Sequence, residues 1–179
     1  MQNQIIGKTL QHGYAGSYSR QPDTIIDTHP AAGAIAFGAG VVYGTGGAVR
    51  TAATGDTAAA FVGVAVREVK SALNYLNQNV GSYAQYDAVP VIKRGCVNVI
   101  CQNGTPALDG DVYLRITANN SLPNAVVGGF EAAADSTNSV KLTNVKWKGA
   151  ADVNGVAEIR ILETLHALST DRKEIRHGI

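Results

Sequence analysis

The sequence predicts an all-β fold, a single β-sandwich or barrel-like, jelly-roll-like domain. Three observations predict it. Short apolar runs rich in β-branched residues recur along the chain, and stretches dense in Gly, Asn, Asp, Ser and Thr separate them. No alternation of strand and helix patterns is present, which excludes a Rossmann-type arrangement. The expectation is about seven to nine short strands, roughly 35–50% of residues in strands and under about 15% in helix.

Composition narrows the function classes. With 179 residues the chain is long enough for one domain with a real core, or one domain plus an arm. Apolar residues make up 45%, but charged residues only 16%, well below the usual figure of about 25%. The surface must therefore be rich in neutral polar side chains and glycine, which suits extended contact with other protein. A net charge of +1 supplies no concentrated basic field, so no nucleic-acid partner is expected. No window reaches the length of a membrane span. The first residues, MQNQIIGKTL, lack a basic start followed by an apolar run, so no secretory leader is expected. On one regular strand Cys96 and Cys101 fall on opposite faces, which predicts two free thiols in a reducing compartment.

In chain order, residues Met1 to Asp23 show no sustained period. They still carry Ile5, Ile6, Leu10, Tyr14 and Tyr18, with Arg20 beyond, more apolar surface than a solvating tail needs. They read as an extended arm that orders against a partner, with these six residues as its candidate contacts, or as a frayed edge that packs on its own domain. Ile25–Asp27 reads as a short strand that His29-Pro30 breaks. Two apolar runs follow, 34–43 and Phe61–Val66, read as paired strands joined by the turn-rich link GTGGAVRTAATGD. The window from Val69 to Tyr86 has apolar residues at helical spacing, but three asparagines and a glycine weaken it, so a helical turn or two and a long loop fit equally.

Val89–Cys101 is the firmest strand, with Val89, Val91, Val97 and Val99 expected on one face and a bulge or bend at Gly95. Asn103-Gly104 marks a turn. Val112–Thr117 is a strand with Val112, Leu114 and Ile116 on one face. Two loops follow, the second offering Phe130 as an anchor. Val140–Trp147 and Val156–Leu162 close the domain, and in the latter Ala157, Ile159 and Ile161 face opposite Glu158 and Arg160. The organisation expected is an N-terminal arm (1–23), a β-rich core (24–163) and a polar C-terminal tail (164–179). Val64, Val91, Val97, Val99, Leu114, Ile159 and Ile161 are expected in the core.

Chemistry-bearing motifs are sparse. Gly38 to Gly44 spaces its glycines as G-x-G-x-x-x-G, and no helix follows to receive a pyrophosphate. No Walker loop is present, and Ser17 in GYAGSYS does not sit in a G-x-S-x-G elbow. His12, His29, His166 and His177 pair with no metal-ligand spacing. Asp109 and Asp111 flank Gly110 as in an ordinary turn, not a calcium loop, and Asp56 follows Gly55 in another. The reading is a non-enzymatic protein with no catalytic residue, no metal and no cofactor.

One resemblance gives the pieces a meaning. In order, the chain carries GYAGS, IIDTHPA, AIAFGAGVVYGT, FVGVAVRE, Tyr86-Asp87 before VPVIKRGCVNVI, LDGDVYLRI and VKLTNVKWKGAADVNGVAEIRIL. From Gly13 to Leu162 this series resembles the capsid decoration, or structural cement, proteins of tailed bacteriophages. The YLNQNVGS segment and the tail beyond Leu162 depart from the pattern. The resemblance implies a virion protein made in the host cytoplasm. It implies binding to the outside of the head, where such a protein bridges subunits of the major capsid protein lattice. It also implies a homo-oligomer, trimer or dimer. The alternative is another phage or surface β-module, such as a head-fibre base, a tail component or a carbohydrate-binding domain.

Overall fold

The computed structural model describes residues 11–68 and 81–162. Strands take 46% of these residues and helix 4%, and the main sheet curls into a half-barrel, as an all-β sandwich or barrel-like domain requires. Eleven strands form in chain order: β1 (Tyr18–Pro30), β2 (Ile35–Ala36), β3 (Gly40–Tyr43), β4 (Val49–Thr51), β5 (Phe61–Ala65), β6 (Ser82–Tyr83), β7 (Ala88–Ile100), β8 (Asp111–Arg115), β9 (Phe130–Glu131), β10 (Ser139–Trp147) and β11 (Val156–Ile161). Nine build one sheet in the order β4-β3-β5-β7-β11-β10-β8-β9, with β1 also on β7; β2 and β6 pair separately.

The 13-residue β7 is the spine. Ile92 pairs with Ile26 of β1 and with Val64 of β5, while Val97 pairs with Tyr18 of β1 and Ile159 of β11. Strand β1 therefore runs along one edge of β7, and β5 and β11 share the other edge end to end. Gly95 lies where they change over. Its φ is +119°, in the region that favours glycine. The bend curls the sheet into two halves, each turning back on itself: Ala31 bridges to Val49 in the first and Cys101 to Phe130 in the second.

The bend also corrects the expected face of β7. Val97 and Val99 join the larger core with Ile92, Phe61, Leu114, Phe130 and Trp147, whereas Val89 and Val91 join a second core with Ile35, Val41 and Tyr83. One irregular residue at Gly95 moves the odd positions from one core to the other. All seven predicted core residues are at most 1% exposed. A Cβ on Gly95 would lie 2.8 Å from the Asp23 carbonyl oxygen and 3.2 Å from Thr24 Cα. Gly95→Ala is therefore expected to lower stability by about 1–3 kcal/mol, through strain and the clash with β1. Urea unfolding with an unchanged m-value checks it.

Other elements differ from the sequence reading. β1 is one strand from Tyr18 to Pro30, and His29 and Pro30 stay in register with Val89 and Ala88. Proline ends a strand without breaking it, because only its missing N–H is lost. The apolar run 34–43 divides at Phe37-Gly38 into β2 and β3; β3 does pair with β5, Val41 opposite Gly63. The link between them hides β4. Most of the Val69–Tyr86 window lies outside the described residues, and its described end forms β6. Glu158 breaks the expected alternation of β11, since it is only 5% exposed. Its Oε1 accepts a 2.8 Å hydrogen bond from Arg20 Nε. Cys96 and Cys101 are free, one buried and one half-buried.

Candidate partner-binding surface

The root of the arm is tied to the core through Asn98, a polar residue 3% exposed within the Val-rich run of β7. Its Nδ2 donates to the His12 carbonyl at 2.6 Å and to Ser17 Oγ at 3.1 Å. Its own carbonyl accepts from Gly16 N–H at 2.7 Å, and its N–H donates to the Ser17 carbonyl at 3.0 Å. His12 N–H donates to Asp152 Oδ2 at 3.0 Å. Burial alone raises the Asp152 carboxyl, but backbone N–H donors from His12, Val156 and Asn154 outweigh it and hold it below the usual carboxylate range.

Two glycines let this root cross the β2–β3 turn. Gly16 and Gly38 have φ of +80° and +76°, and a Cβ on Gly38 would stand 2.8 Å from Ala15 Cβ and Gly16 N. Above the crossing, the Arg67 guanidinium lies 4.8 Å from the Tyr14 ring centre and 5.9 Å from that of Phe37. Phe37 in turn meets Tyr83 edge to face at 5.0 Å. The Tyr83 hydroxyl donates to the Val66 carbonyl.

The candidate contacts therefore separate. Tyr14 is 70% exposed and presents a face to solvent. Tyr18 is half-buried, with its hydroxyl on Glu68 Oε1 at 2.7 Å; burial, then this carboxylate, push the phenol above its ordinary range. Arg20 leaves its side chain 69% exposed while holding Glu158. Burial raises Glu158, but Arg20, Ser19 and Cys96 together outweigh it and keep its carboxyl low. Ile5, Ile6 and Leu10 lie outside the described residues.

Beside the root opens an apolar cleft of about 410 Å³. Ala15, Ala36 and Phe37 line one wall, and Ile100, Val126 and Gly128 the other; no lining residue is charged. Ile100 and Val126 are 46% and 59% exposed. Sequence reading missed both Asn98 and the cleft. The signal for Asn98 was its place inside VNVI, since a buried polar group must find partners.

Elsewhere the candidate carboxylates are held by cations. Asp111 meets Lys141 and Lys146 at 2.5 and 2.6 Å, and Asp109 meets Lys148 at 3.5 Å. Asp56 accepts from Arg50 Nη1 and Nη2, each at 2.8 Å, and from the Ala53 N–H at 2.7 Å. Among the described residues no three metal-ligating side chains converge. His29 packs edge to face on Tyr43 at 5.2 Å. Trp147 is fully buried and so is no stacking platform for a sugar. No described helix is long and apolar enough to cross a membrane.

The Arg50 hydrogen bonds hold the Asp56 carboxyl low against the raising effect of burial. A carboxyl depressed on folding stabilises above its unfolded value, near pH 4, and that contribution is lost as pH falls through the folded value. Asp56→Asn should therefore lower stability by about 0.5–1 kcal/mol at pH 7, the half-exposed arginine limiting the effect. The difference from the parent protein should close on acidification, as chemical denaturation at pH 7 and pH 3 will read.

The described surface thus combines a curled β-body, an apolar cleft, an anchored arm root and carboxylates paired with cations. Likeness to known proteins supplies its role. The family model "Structural cement protein (E217 gp24/Pam3 gp6)" matches residues 1–162, and the chain belongs to that family. Among solved structures, a chain from "The capsid of Myoviridae Phage XM1" has the same fold, with a TM-score of 0.63 at 16% identity. The match covers 90% of this chain and 97% of that one. No curated protein matches the chain.

Proposed function

We propose that this protein decorates the outer surface of a phage head, where it bridges neighbouring major capsid protein subunits and acts by binding, not catalysis. The observation that carries the reading is the structural-cement family match over residues 1–162. The low charge content and the exposed apolar residues Tyr14, Ile100 and Val126 support it. A rigid β-body suits a clamp that must hold a lattice against internal pressure. Synthesis in the host cytoplasm fits two free cysteines.

The arm, expected over 1–23, reaches a partner through its residues before Tyr18, because 18–23 belong to β1. Ile5, Ile6, Leu10 and Tyr14 supply its contacts, while Tyr18 and Arg20 fix its base to the core. Copies associate as a cyclic homo-oligomer, trimer or dimer. Electron microscopy of heads assembled with and without the protein tests the whole reading. Extra density outside the shell, spanning capsid subunits, is the expected result. Density inside the shell, or at a tail or fibre position, rejects it.

A further inference from the structure

We propose that the apolar cleft beside the arm root is the seat for residues Met1–Leu10 of a second copy, so that neighbouring copies are linked arm to cleft. This rests on the reading of the arm as a partner-binding element and names its partner.

The cleft needs an occupant of particular chemistry. Its walls carry no charge, and Ala15, Ala36 and Gly128 leave room where larger residues would fill it. Gln102, the longest polar side chain in the lining, is already engaged, its Oε1 accepting from Val126 N–H at 2.9 Å. An occupant must therefore be apolar and bring few charges. MQNQIIGKTL fits: Lys8 is its one charged side chain, and in an extended chain Ile6 and Leu10 share a face.

Where the arm leaves the core favours a second copy over the same chain. Gln11 emerges at the turn bearing Asp152 and Asn154, with Asn154 Nδ2 3.4 Å from Gln11 Oε1. The same turn abuts the Ile100 end of the cleft, because Val156 pairs with Ile100 and Gly155 accepts from Cys101 N–H. The chain's own cleft is thus next to Gln11, so filling it would take only a few residues and leave most of the ten unused. Ten extended residues reach at most about 33–36 Å. That span is comparable with the width of a domain of this size, whose radius of gyration is roughly 15 Å. Such a head-to-tail contact closes into a ring when the rotation permits. Copies held side by side on a shell also present clefts to arms at high effective concentration.

Disulfide trapping in the full chain tests the assignment. Ile6→Cys and Ala36→Cys are made separately in a Cys101→Ser background; Cys96 is only 8% exposed. Mixed on heads under mild oxidation, the two should form a 6–36 cross-link between chains, and adding Ala36→Arg to the Ile6→Cys chain should leave that link intact. Ala36→Arg in place of Ala36→Cys is a control that should give none. A cross-link closing within one chain of the double-cysteine variant assigns the cleft to its own arm and overturns the proposal. Ile6→Cys linking instead to the major capsid protein overturns it as well, and so does a mixture that decorates heads without cross-linking. In that last case head occupancy is unchanged and the decoration reading stands. If the cross-link forms in solution while the parent protein leaves heads bare, the seat stands and the decoration reading falls.

Discussion

Arg115→Ala is expected to lower stability by about 3–5 kcal/mol, because it strands a buried carboxylate. Arg115 and Glu131 are both 0% exposed. Arg115 Nε donates to Glu131 Oε1 at 2.5 Å, Nη2 to Asp135 Oδ2 at 2.8 Å and Nη1 to the Thr117 carbonyl at 3.1 Å. Asn119 Nδ2 completes the set on Asp135, at 3.0 and 2.9 Å to its two oxygens. Burial raises the Glu131 carboxyl, and Arg115 is the cation that opposes it. Without the guanidinium the folded-state value rises further. A raised carboxyl contributes stability below its unfolded value, and that contribution is lost as pH rises through the folded one. The deficit of Arg115→Ala should therefore be larger at pH 8 than at pH 4. The double replacement Arg115→Met with Glu131→Leu should recover much of it, since it removes the fully buried Glu131 charge together with its cation and leaves Asp135 to Asn119. Urea unfolding at the two pH values reads all three outcomes. A deficit under about 1 kcal/mol at pH 8 would show that water reaches the carboxylate and that the pair behaves as a surface one.

The network also explains what the sequence could carry and what it could not. Apolar residues two apart locate β7, β8 and β11, because alternate residues of a strand share a face. The sequence DVYLR reads equally as a half-buried strand whose arginine meets solvent. Its arginine is buried only because β9 and the loop after it bring Glu131 and Asp135 back from 16 and 20 residues away. Glu158 is the same case, its partner Arg20 lying 138 residues distant. Charged residues on strands default to the solvent face in a one-sequence reading, and only long-range pairing reverses that. The short strands β4 and β9 were hidden because two or three residues cannot establish a period. Gly95 was legible as a bulge, but its effect on facing depended on which neighbours sit on either side of it. The cleft was illegible for a related reason: its walls come from Ala34–Ala39 and Val126–Gly129, distant segments of small residues with no pattern of their own.

Removing Met1–Leu10 should leave the β-core folded and sharply weaken attachment to heads. The cut keeps Gln11 and His12, which bond to Asn154 and Asp152 of the core. The buried Asn98 Nδ2 keeps both of its acceptors, the His12 carbonyl and Ser17 Oγ. Thermal unfolding of this truncated protein should therefore match the parent closely. Extending the deletion through Ser17 is a different experiment. It strips Asn98 Nδ2 of two acceptors in a site 3% exposed, and it removes the Gly16 bonds to Asn98 and Arg67. Unsatisfied buried groups cost about 1–3 kcal/mol each, so the longer deletion should lower the melting temperature and confuse loss of fold with loss of binding. The short deletion isolates the arm. If arms link copies on the shell, each copy loses a contact made at high effective concentration, and apparent affinity for heads should fall by about 10²–10⁴-fold. Ile5→Asp with Ile6→Asp should reproduce most of that loss without shortening the chain, because the apolar contact, not length, holds the arm. Sedimentation of heads with fluorescently labelled protein measures all three variants against the parent. Full occupancy at unchanged affinity after the short deletion would move the attachment to the core surface around Tyr14, Ile100 and Val126, and leave the arm without a part in it.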